Sequence, residues 1–195
     1  MTGKRQFLAA TTLALIGSQV SAASSKGTGA AGPGLLTVTG SVSKTNRGPL
    51  DKALDQMMAK QQQSFTRAHV FDFAVLSKLP SRTIRPTLEY DAKVHALRGP
   101  LLTEVLRAAG APDDAATPLG LRAIDGYTVP ITLGEARRLG LIVATHLDGK
   151  PMPLGGLGPL WAVLDADRIP ELAAKPLPER FAQCPWGLYH VTVGA

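Results

Sequence analysis

The strongest helical pattern in this chain lies in Leu97-Arg-Gly-Pro-Leu-Leu-Thr-Glu-Val-Leu-Arg-Ala-Ala-Gly110. Pro100 suits the first turn of a helix, and Gly110 suits its C-terminal end. Four apolar side chains share one face at helical spacing, namely Leu101, Leu102, Val105 and Leu106. The segment therefore predicts a short amphipathic helix over 99–110. Such a helix is apolar on one face only, so another layer of structure must cover that face.

Predicted strands outnumber predicted helices on both sides of this segment. Alternating or short apolar runs predict an extended segment over 82–90 and strands over 35–42, 66–71, 119–124, 127–131, 142–146, 160–164 and 188–193. Short helices are predicted over 51–63, over 73–79 with Asp72 as N-cap, and over 134–139 with Thr132 as N-cap. Many strands with few short helices predict an α+β fold with a mixed β-sheet.

The first 22 residues predict export from the cytoplasm as a signal peptide. Lys4-Arg5 precede an apolar run over 7–17, and Val20-Ser-Ala22 supplies the small residues that signal peptidase requires. The run is shorter than the about 20 apolar residues that span a bilayer. Lys4-Arg-Gln-Phe-Leu8 also resembles the twin-arginine motif with Lys for the first Arg, so Sec and Tat-like routes both stay open. We expect a periplasmic protein.

Residues 23–34 predict a flexible leader, because they are rich in Gly, Ala and Ser. The leader contains Gly27-Thr-Gly-Ala-Ala-Gly32, which has the form G-x-G-x-x-G. A dinucleotide-binding fingerprint requires a strand before this motif and a helix after it. Here the signal peptide precedes the motif and Pro33-Gly34 follow it, so the match is accidental. The folded domain is expected over 35–195.

The charge balance argues against a nucleic-acid partner. The chain has 21 Lys and Arg against 15 Asp and Glu, so loss of Lys4 and Arg5 with the signal leaves a net charge of +4. The basic residues are scattered, whereas a nucleic-acid binder has a basic stripe with stacking aromatics. The positive balance also indicates that anionic small molecules would not be repelled.

Residues that could build a metal or hydrolytic site are sparse. The single cysteine, Cys184, excludes an internal disulfide, and the four histidines have no metal-binding spacing. Each histidine is expected on the surface or in the core. Asp165-Ala-Asp167 lacks the further ligands of a calcium loop and predicts a solvated turn. There is no G-x-S-x-G elbow and no P-loop, and no catalytic or metal-ligating residue is predicted.

A set of short motifs stands in a fixed order along the chain. They are Phe71-Asp72, Leu79-Pro80, Leu97–Leu102, Ala123-Ile-Asp-Gly-Tyr127, Asp148-Gly-Lys-Pro-Met152, Gly158-Pro-Leu160 and Trp186. In this order they resemble the molybdopterin-binding domain of the sulfite oxidase family, above all its small exported members that consist of that domain alone. Thr45-Asn46 also matches those members. The resemblance covers 35–195 apart from an insertion near 51–69, and it implies a sulfite-oxidase-like fold with a pterin pocket.

The implied ligand is a flat polar ring, which needs an aromatic face and paired hydrogen-bonding groups on its edge. A carboxylate accepts hydrogen bonds from amino and ring N–H groups, and Asp125 is the candidate for this role. Tyr127 and Trp186 are candidates for faces or edge contacts, and Asn46 for the opposite edge. The candidates for a phosphate or a pterin carbonyl are Arg85, Arg98 and Arg180.

Structural roles are open for several of these residues. Asp125-Gly126 is also a good turn pair, and Tyr127 could simply pack where a strand begins. Trp186 lies at a strand entry between Pro185 and Gly187, so it could face a ligand or the core. Trp161 lies within an apolar strand and is expected in the core.

One departure from the family bears on catalysis. Catalytic members hold molybdenum through a cysteine thiolate shortly before the Gly-Pro-Leu segment, and residues 81–90 of this chain contain no Cys. Molybdenum requires a soft anionic sulfur there, so bound molybdenum is not expected. Cys184 lies about a hundred residues later, and Gly156-Leu157 and Gln183-Cys-Pro185 replace residues that small members often carry.

Three hypotheses follow from the resemblance. The first is a non-enzymatic periplasmic module that binds a pterin or molybdopterin-like ligand and reports to the periplasmic domain of a membrane signalling protein. The alternative is a molybdopterin-dependent oxidoreductase, or an accessory subunit of one, that uses Cys184 or no protein ligand. The third is a structural adaptor with a degenerate pocket.

Overall fold

The protein is described by a computed structural model that covers residues 32–194. The predicted signal peptide over 1–22 and residues 23–31 of the predicted leader lie outside the described residues. Between residues 32 and 194, no helix is both long enough and apolar enough to cross a bilayer.

Short elements make up the part of the chain that the structure describes. The α-helices are α1 (Gln56–Lys60), α2 (Phe73–Lys78), α3 (Leu102–Ala108), α4 (Leu133–Arg138) and α5 (Pro170–Ala173). The strands are β1 (Gly34–Gly40), β2 (His69–Asp72), β3 (Ser81–Ile84), β4 (Leu97–Pro100), β5 (Pro118–Ala123), β6 (Thr128–Thr132), β7 (Ile142–Ala144), β8 (His146–Leu147), β9 (Lys150–Pro151), β10 (Trp161–Val163) and β11 (Leu188–Val193). Two 3₁₀ turns cover Ala166–Arg168 and Leu177–Glu179. The predominance of strands confirms the predicted α+β class.

The main sheet has five strands in the order β2-β1-β11-β5-β6. β1 runs parallel to β11, with Thr37 opposite His190, and the other neighbouring strands are antiparallel. The sheet is therefore mixed, as predicted. A second sheet has the order β3-β4-β8-β9, and β10 pairs with β7 in a two-stranded ladder.

One face of the main sheet contributes to the hydrophobic core. Side chains two residues apart on its central strands are buried in one cluster, namely Leu36, Val38, Leu119, Leu121, Val191 and Val193. Helix α3 adds Leu102, Val105 and Leu106 to the same cluster, as its apolar face predicts. Because burial of a Leu side chain stabilises a fold by about 1.5–3 kcal/mol, this face holds the helix in place.

The predicted helix over 99–110 begins later than expected. Residues Leu97–Pro100 form β4, and α3 starts at Leu102. A Cβ atom at Gly99 would lie 1.9 Å from the carbonyl oxygen of Val143, so this glycine allows β4 and β7 to approach each other. The predicted end is correct, since Gly110 has a φ of +75°.

The predicted helix over 51–63 is reduced to the single turn of α1. Of its three large apolar side chains only Met58 is buried, whereas Leu54 and Met57 are exposed. Asp51 accepts a hydrogen bond from the Ala53 amide at 2.8 Å, and this local bond holds the segment before α1 in turns.

The two predicted helix caps are confirmed. The Asp72 carboxylate accepts a hydrogen bond from the Val75 amide at 2.6 Å, at the start of α2. Thr132 and Glu135 form a capping box at the start of α4, with bonds of 3.1 Å and 2.8 Å. These side chains satisfy amides that have no partner within the helix.

The predicted extended segment over 82–90 is a strand only as far as Ile84. The residues after it form a loop, and the carboxylates of Asp165 and Asp167 accept hydrogen bonds from the Arg85 and Thr87 amides at 3.3 Å and 2.7 Å. The prediction of a solvated turn at Asp165-Ala-Asp167 is therefore wrong, because both carboxylates anchor this loop. The loop continues to Tyr90, which borders the site described next.

Candidate functional site

Strand pairing brings two distant segments of the chain together at one end of the main sheet. β5 pairs with β11 so that Ala123 lies opposite Leu188. The turn between β5 and β6, residues 124–127, therefore meets the segment that enters β11, residues 181–187. The Ile124 amide donates a hydrogen bond to the Gly187 carbonyl at 3.0 Å, which fixes this meeting point.

A cleft of about 230 Å³ lies between these segments and the loop after β3. We call it the terminal cleft, and its lining residues are Glu89, Tyr90, Ala123, Asp125, Tyr127, Phe181, Ala182, Cys184, Pro185 and Trp186. The structure thus brings together three of the residues that sequence reasoning singled out, namely Asp125, Tyr127 and Trp186. Their predicted role as ligand contacts stays a prediction.

The turn that carries Asp125 is held by its own hydrogen bonds. Asp125 Oδ1 accepts from the Tyr127 amide at 2.9 Å, and Gly126 between them has a φ of +94°. The turn role of Asp125-Gly126 is therefore present in the structure. The same side chain is exposed and lines the terminal cleft, so its second oxygen, Oδ2, is available to a ligand.

Tyr127 joins the two sides of the terminal cleft. Its phenol donates a hydrogen bond to the Ala182 carbonyl at 2.8 Å, which ties the β5–β6 turn to the segment before β11. The residue is 53% exposed, and its ring borders the cleft. Because the hydroxyl is already bonded, Tyr127 offers a ligand its ring rather than its hydrogen-bond donor.

Exposed aromatic rings surround the terminal cleft. Tyr90 is 56% exposed and Trp186 is 39% exposed, although both are large side chains that are usually buried. Trp161 differs from them, since it is fully buried and its Nε1 donates to the Cys184 carbonyl at 2.8 Å. The expected core role of Trp161 is confirmed, and its hydrogen bond supports the segment that carries Trp186.

The terminal cleft is locally acidic. Glu89 and Asp125 line it, and none of the described residues that line it is Lys, Arg or His. Desolvation and the neighbouring Glu89 carboxylate raise the pKa of Tyr90 to about 12. The net positive charge of the chain indicates tolerance of anions, but the charge of this cleft has the opposite sign.

Cys184 lines the terminal cleft but is buried. Desolvation raises the pKa of its thiol to about 12, while a hydrogen bond from the Leu164 backbone opposes this shift and the Glu89 carboxylate adds to it. The thiol is therefore protonated near neutral pH. A molybdenum ion at the terminal cleft would have to displace the proton of this buried thiol, because the metal binds the thiolate.

Asn46 and Arg180 do not line the terminal cleft. The Asn46 side chain donates to the Val70 carbonyl at 2.9 Å and accepts from the Val70 amide at 2.7 Å, so both ends of its amide bind β2. The Arg180 guanidinium donates to Asp167 at 2.9 Å and to the carbonyls of Ala173 and Lys175 at 2.8 Å and 2.9 Å. Both side chains hold neighbouring segments in place.

Arg85 and Arg98 also lie outside the lining of the terminal cleft. Arg85 is exposed, and its backbone amide donates to Asp165. Arg98 contacts the His146 ring through Nη2 at 3.1 Å, and burial followed by this cation lowers the pKa of His146. The arginines that the sequence suggested for a phosphate are thus not gathered around the acidic cleft.

Sequence reasoning missed the wall formed by Glu89 and Tyr90. The pair combines a carboxylate with an aromatic ring, as do Asp125 and Tyr127, and this similarity was a usable signal. The prediction placed 82–90 in an extended segment because it could not show that the chain turns after Ile84.

Other hollows in the described structure are larger than the terminal cleft. A groove of about 460 Å³ crosses β5 and β6, and hollows of about 260 Å³ lie beside α3 and beside α1. The terminal cleft is the stronger candidate because it gathers exposed aromatic rings and two carboxylates. Between residues 32 and 194, no group of three or more His, Cys, Asp and Glu side chains is arranged to hold a metal ion.

No protein-family model and no curated protein matches the chain. Among solved structures, it is similar to the crystal structure of the sulfane dehydrogenase SoxCD from Paracoccus pantotrophus, with a TM-score of 0.51 and 12% sequence identity. The similarity covers 81% of this chain and 37% of that chain, so this chain spans well under half the length of its neighbour. At this identity the similarity concerns the fold alone. Together with the mixed sheets and short helices, it shows that the fold is α+β and sulfite-oxidase-like.

Proposed function

We propose that this chain is a periplasmic protein that binds a pterin or a molybdopterin-like heterocycle in the terminal cleft, without catalysis, and reports its occupancy to the periplasmic domain of a membrane signalling protein. The observation that carries the proposal is the meeting of Asp125, Tyr127 and Trp186 at one cleft. These residues are 61 positions apart at their extremes, so only the fold brings them together.

The lining of the terminal cleft suits a flat ring with N–H groups on its edge. Exposed rings of Tyr90, Tyr127 and Trp186 provide apolar faces for stacking. The free Oδ2 of Asp125 provides an acceptor for an amino or ring N–H group. The cleft volume of about 230 Å³ is below the range of drug-sized sites, which begins at about 300 Å³, and is consistent with a small bicyclic ligand.

The absence of a thiolate supports a binding role over a redox role. Residues 81–90 contain no Cys, and the Cys184 thiol at the cleft is buried, with its pKa raised to about 12 by desolvation. The periplasmic location is proposed from residues 1–22, and the signalling partner from the resemblance to small exported members of the sulfite oxidase family.

The test of binding is calorimetry with tetrahydrobiopterin under anaerobic conditions. We expect a micromolar dissociation constant for the purified protein. Asp125→Asn should weaken binding about 10-fold or more, because a hydrogen bond to a charged acceptor is worth about 1.5–3 kcal/mol. Trp186→Leu should also weaken binding, because it removes a stacking face.

Asp114→Asn is the matched control for Asp125→Asn. Asp114 Oδ1 accepts from the Ala116 amide at 3.0 Å, in the same kind of turn as Asp125, and Asp114 is exposed outside the terminal cleft. This variant should bind like the parent protein. Absence of binding up to high micromolar pterin, or equal effects of the two Asp→Asn changes, would contradict the proposal.

The signalling part of the proposal has its own test. A photo-crosslinking residue at Val94, which is exposed on the loop after β3 and does not line the terminal cleft, is introduced in cells that express the protein. We expect a crosslink to a membrane protein whose yield changes when pterin is added. A crosslinking yield that does not depend on pterin would argue against the proposal that the chain signals ligand binding to a membrane protein.

The similarity to the sulfane dehydrogenase SoxCD favours a second candidate, a molybdopterin-dependent oxidoreductase or an accessory subunit of one. Metal analysis of protein purified from its native compartment separates the two candidates. About one molybdenum per chain would support the oxidoreductase, and its absence together with pterin binding would support the first proposal.

A further inference from the structure

The lining of the terminal cleft combines exposed aromatic rings with charged groups that are all carboxylates. Glu89 and Asp125 both face this space, and the cleft has no Lys, Arg or His among its described lining residues. Aromatic ring faces carry negative quadrupole potential, so Tyr90, Tyr127 and Trp186 add to the same sign. The cleft therefore presents a negative surface to any ligand.

We infer that the terminal cleft selects flat heterocycles that are uncharged or cationic and rejects those that carry a phosphate. This inference rests on the proposed function and narrows it, because it separates unphosphorylated pterins from phosphate esters such as molybdopterin. The ligand class is then a pterin whose ring N–H groups meet carboxylates and whose tail carries no anion.

The positions of the neighbouring cations support the proposed selection against ligands that carry a phosphate. Arg180 precedes Phe181 of the cleft lining in the sequence, but its guanidinium is bonded to Asp167 and to two backbone carbonyls. Asp167 also balances the charge of Arg180 through this ion pair. Arg122 Nη1 donates to the Gly126 carbonyl at 3.3 Å but does not line the cleft, so the described lining offers a phosphate two carboxylates and no arginine.

The behaviour of two other groups agrees with a negative field in the cleft. Desolvation is the main cause of the raised pKa of both Tyr90 and Cys184, and the Glu89 carboxylate adds to it in each case. A negative charge raises the pKa of a group that becomes anionic when it loses its proton. The same charge would oppose an incoming phosphate.

The first experiment compares dihydroneopterin with its triphosphate ester by calorimetry at low ionic strength. We expect the unphosphorylated pterin to bind at least about 10-fold more tightly, because like charges at cleft distances repel strongly when they are partly desolvated. Added salt should reduce the ratio, since it screens this repulsion. Glu89→Gln and Asp125→Asn should also reduce it, whereas Asp114→Asn should leave it unchanged.

The second experiment measures the charge of the cleft without any pterin. The chain has two tryptophans, and Trp161 is fully buried, so collisional quenching of fluorescence reports on Trp186. We expect caesium to quench Trp186 better than iodide when each quencher is normalised to its effect on a free tryptophan analogue. The difference should shrink in the Glu89→Gln, Asp125→Asn double variant, and Trp186→Phe should remove the quenching.

The outcomes distinguish this inference from the proposed function. Equal binding of both pterins, or stronger relative quenching by iodide, would overturn the charge selection while pterin binding itself stands. Failure of both pterins to bind would overturn the proposed function, and the quenching experiment would then still decide whether the cleft is negative.

Discussion

Asp125 has two roles that can be separated experimentally. One oxygen holds the β5–β6 turn through the Tyr127 amide, and the residue also lines the terminal cleft. The hydrogen bond that stabilises the turn therefore also fixes the position of the Asp125 carboxylate at the terminal cleft. This arrangement explains why a turn interpretation and a ligand interpretation of Asp125-Gly126 are compatible.

Substitutions at Asp125 should affect stability and binding differently. Asp125→Asn keeps an oxygen for the Tyr127 amide, so its free energy of unfolding should stay within about 0.5 kcal/mol of the parent value. Asp125→Ala removes this hydrogen bond and should lower the free energy of unfolding by about 1 kcal/mol. Urea unfolding checks both values, and equal stability of the two variants would contradict the turn role.

The buried thiol of Cys184 should be nearly inert in the folded protein. Its pKa is raised to about 12 by desolvation, and only the thiolate reacts rapidly with disulfide reagents. We expect labelling by Ellman's reagent near neutral pH to be at least about 100-fold slower in the native protein than in urea. Rapid labelling of native protein would show an accessible thiolate and would reopen Cys184 as a metal ligand.

At the scale of elements, the loop after β3 is held at both of its ends. Asp165 and Asp167 bind its beginning through backbone amides. Its end is bound through His95, whose Nδ1 lies 2.7 Å from Asp148 and whose Nε2 lies 3.0 Å from Asp91. The loop therefore keeps Glu89 and Tyr90 at the wall of the terminal cleft.

The protonation of His95 should make the stability of this loop depend on pH. Hydrogen bonds to Asp148 and then to Asp91 raise the pKa of His95 above 6.5, its ordinary value. A neutral imidazole has one N–H group and cannot donate to both carboxylates. The stabilising contribution is therefore complete below pH 6.5 and is lost as the pH rises through the raised pKa.

Urea midpoints at about pH 6 and about pH 8.5 check this prediction. In the parent protein, the urea midpoint should be lower at the higher pH than at the lower pH. In His95→Gln, the midpoint should change less between the two pH values. The cations of Lys93 and Arg85 also lie near Asp91 and Asp148, respectively. Burial, followed by the Arg122 cation, lowers the pKa of His190 to about 4, and burial, followed by the Arg98 cation, lowers the pKa of His146 below its ordinary value. An identical pH dependence in both proteins would contradict the His95 bridge.

At the scale of the whole molecule, residues 51–69, the predicted insertion, support the terminal cleft from outside its lining. Gln61 donates to the Ile124 carbonyl at 2.9 Å and accepts from the Tyr189 phenol at 2.7 Å. Gln61 thus joins the insertion to the β5–β6 turn and to β11. The resemblance indicated an insertion near 51–69, and the structure shows that this segment is hydrogen-bonded to the β5–β6 turn and to β11.

Gln61→Ala should loosen the turn beside the terminal cleft. Loss of two hydrogen bonds should lower the free energy of unfolding by about 1–3 kcal/mol. Hydrogen exchange at the amides of Ile124 and Tyr127 should become faster than in the parent protein. Gln56→Ala is a matched control, because Gln56 bonds only to the Lys52 and Ala53 carbonyls within the insertion. Equal effects of the two changes would contradict the support role.

The amino-acid sequence by itself determined the elements that depend on local interactions. The caps at Asp72 and Thr132, the end of α3 at Gly110 and the period-two strands of the main sheet follow from neighbours in the chain. The α+β class and the burial of Trp161 follow from the same kind of pattern. These features could be predicted because their hydrogen bonds and apolar faces lie within a few residues of each other.

The tertiary structure alone decided the start of α3 and the composition of the terminal cleft. Gly99 belongs to β4 because Val143, 44 residues away, approaches its backbone. Glu89 and Tyr90 reach Asp125 and Trp186 only through the pairing of β5 with β11 and the anchored loop after β3. Contacts between residues far apart in the chain depend on strand order, and local periodicity carries no information about that order.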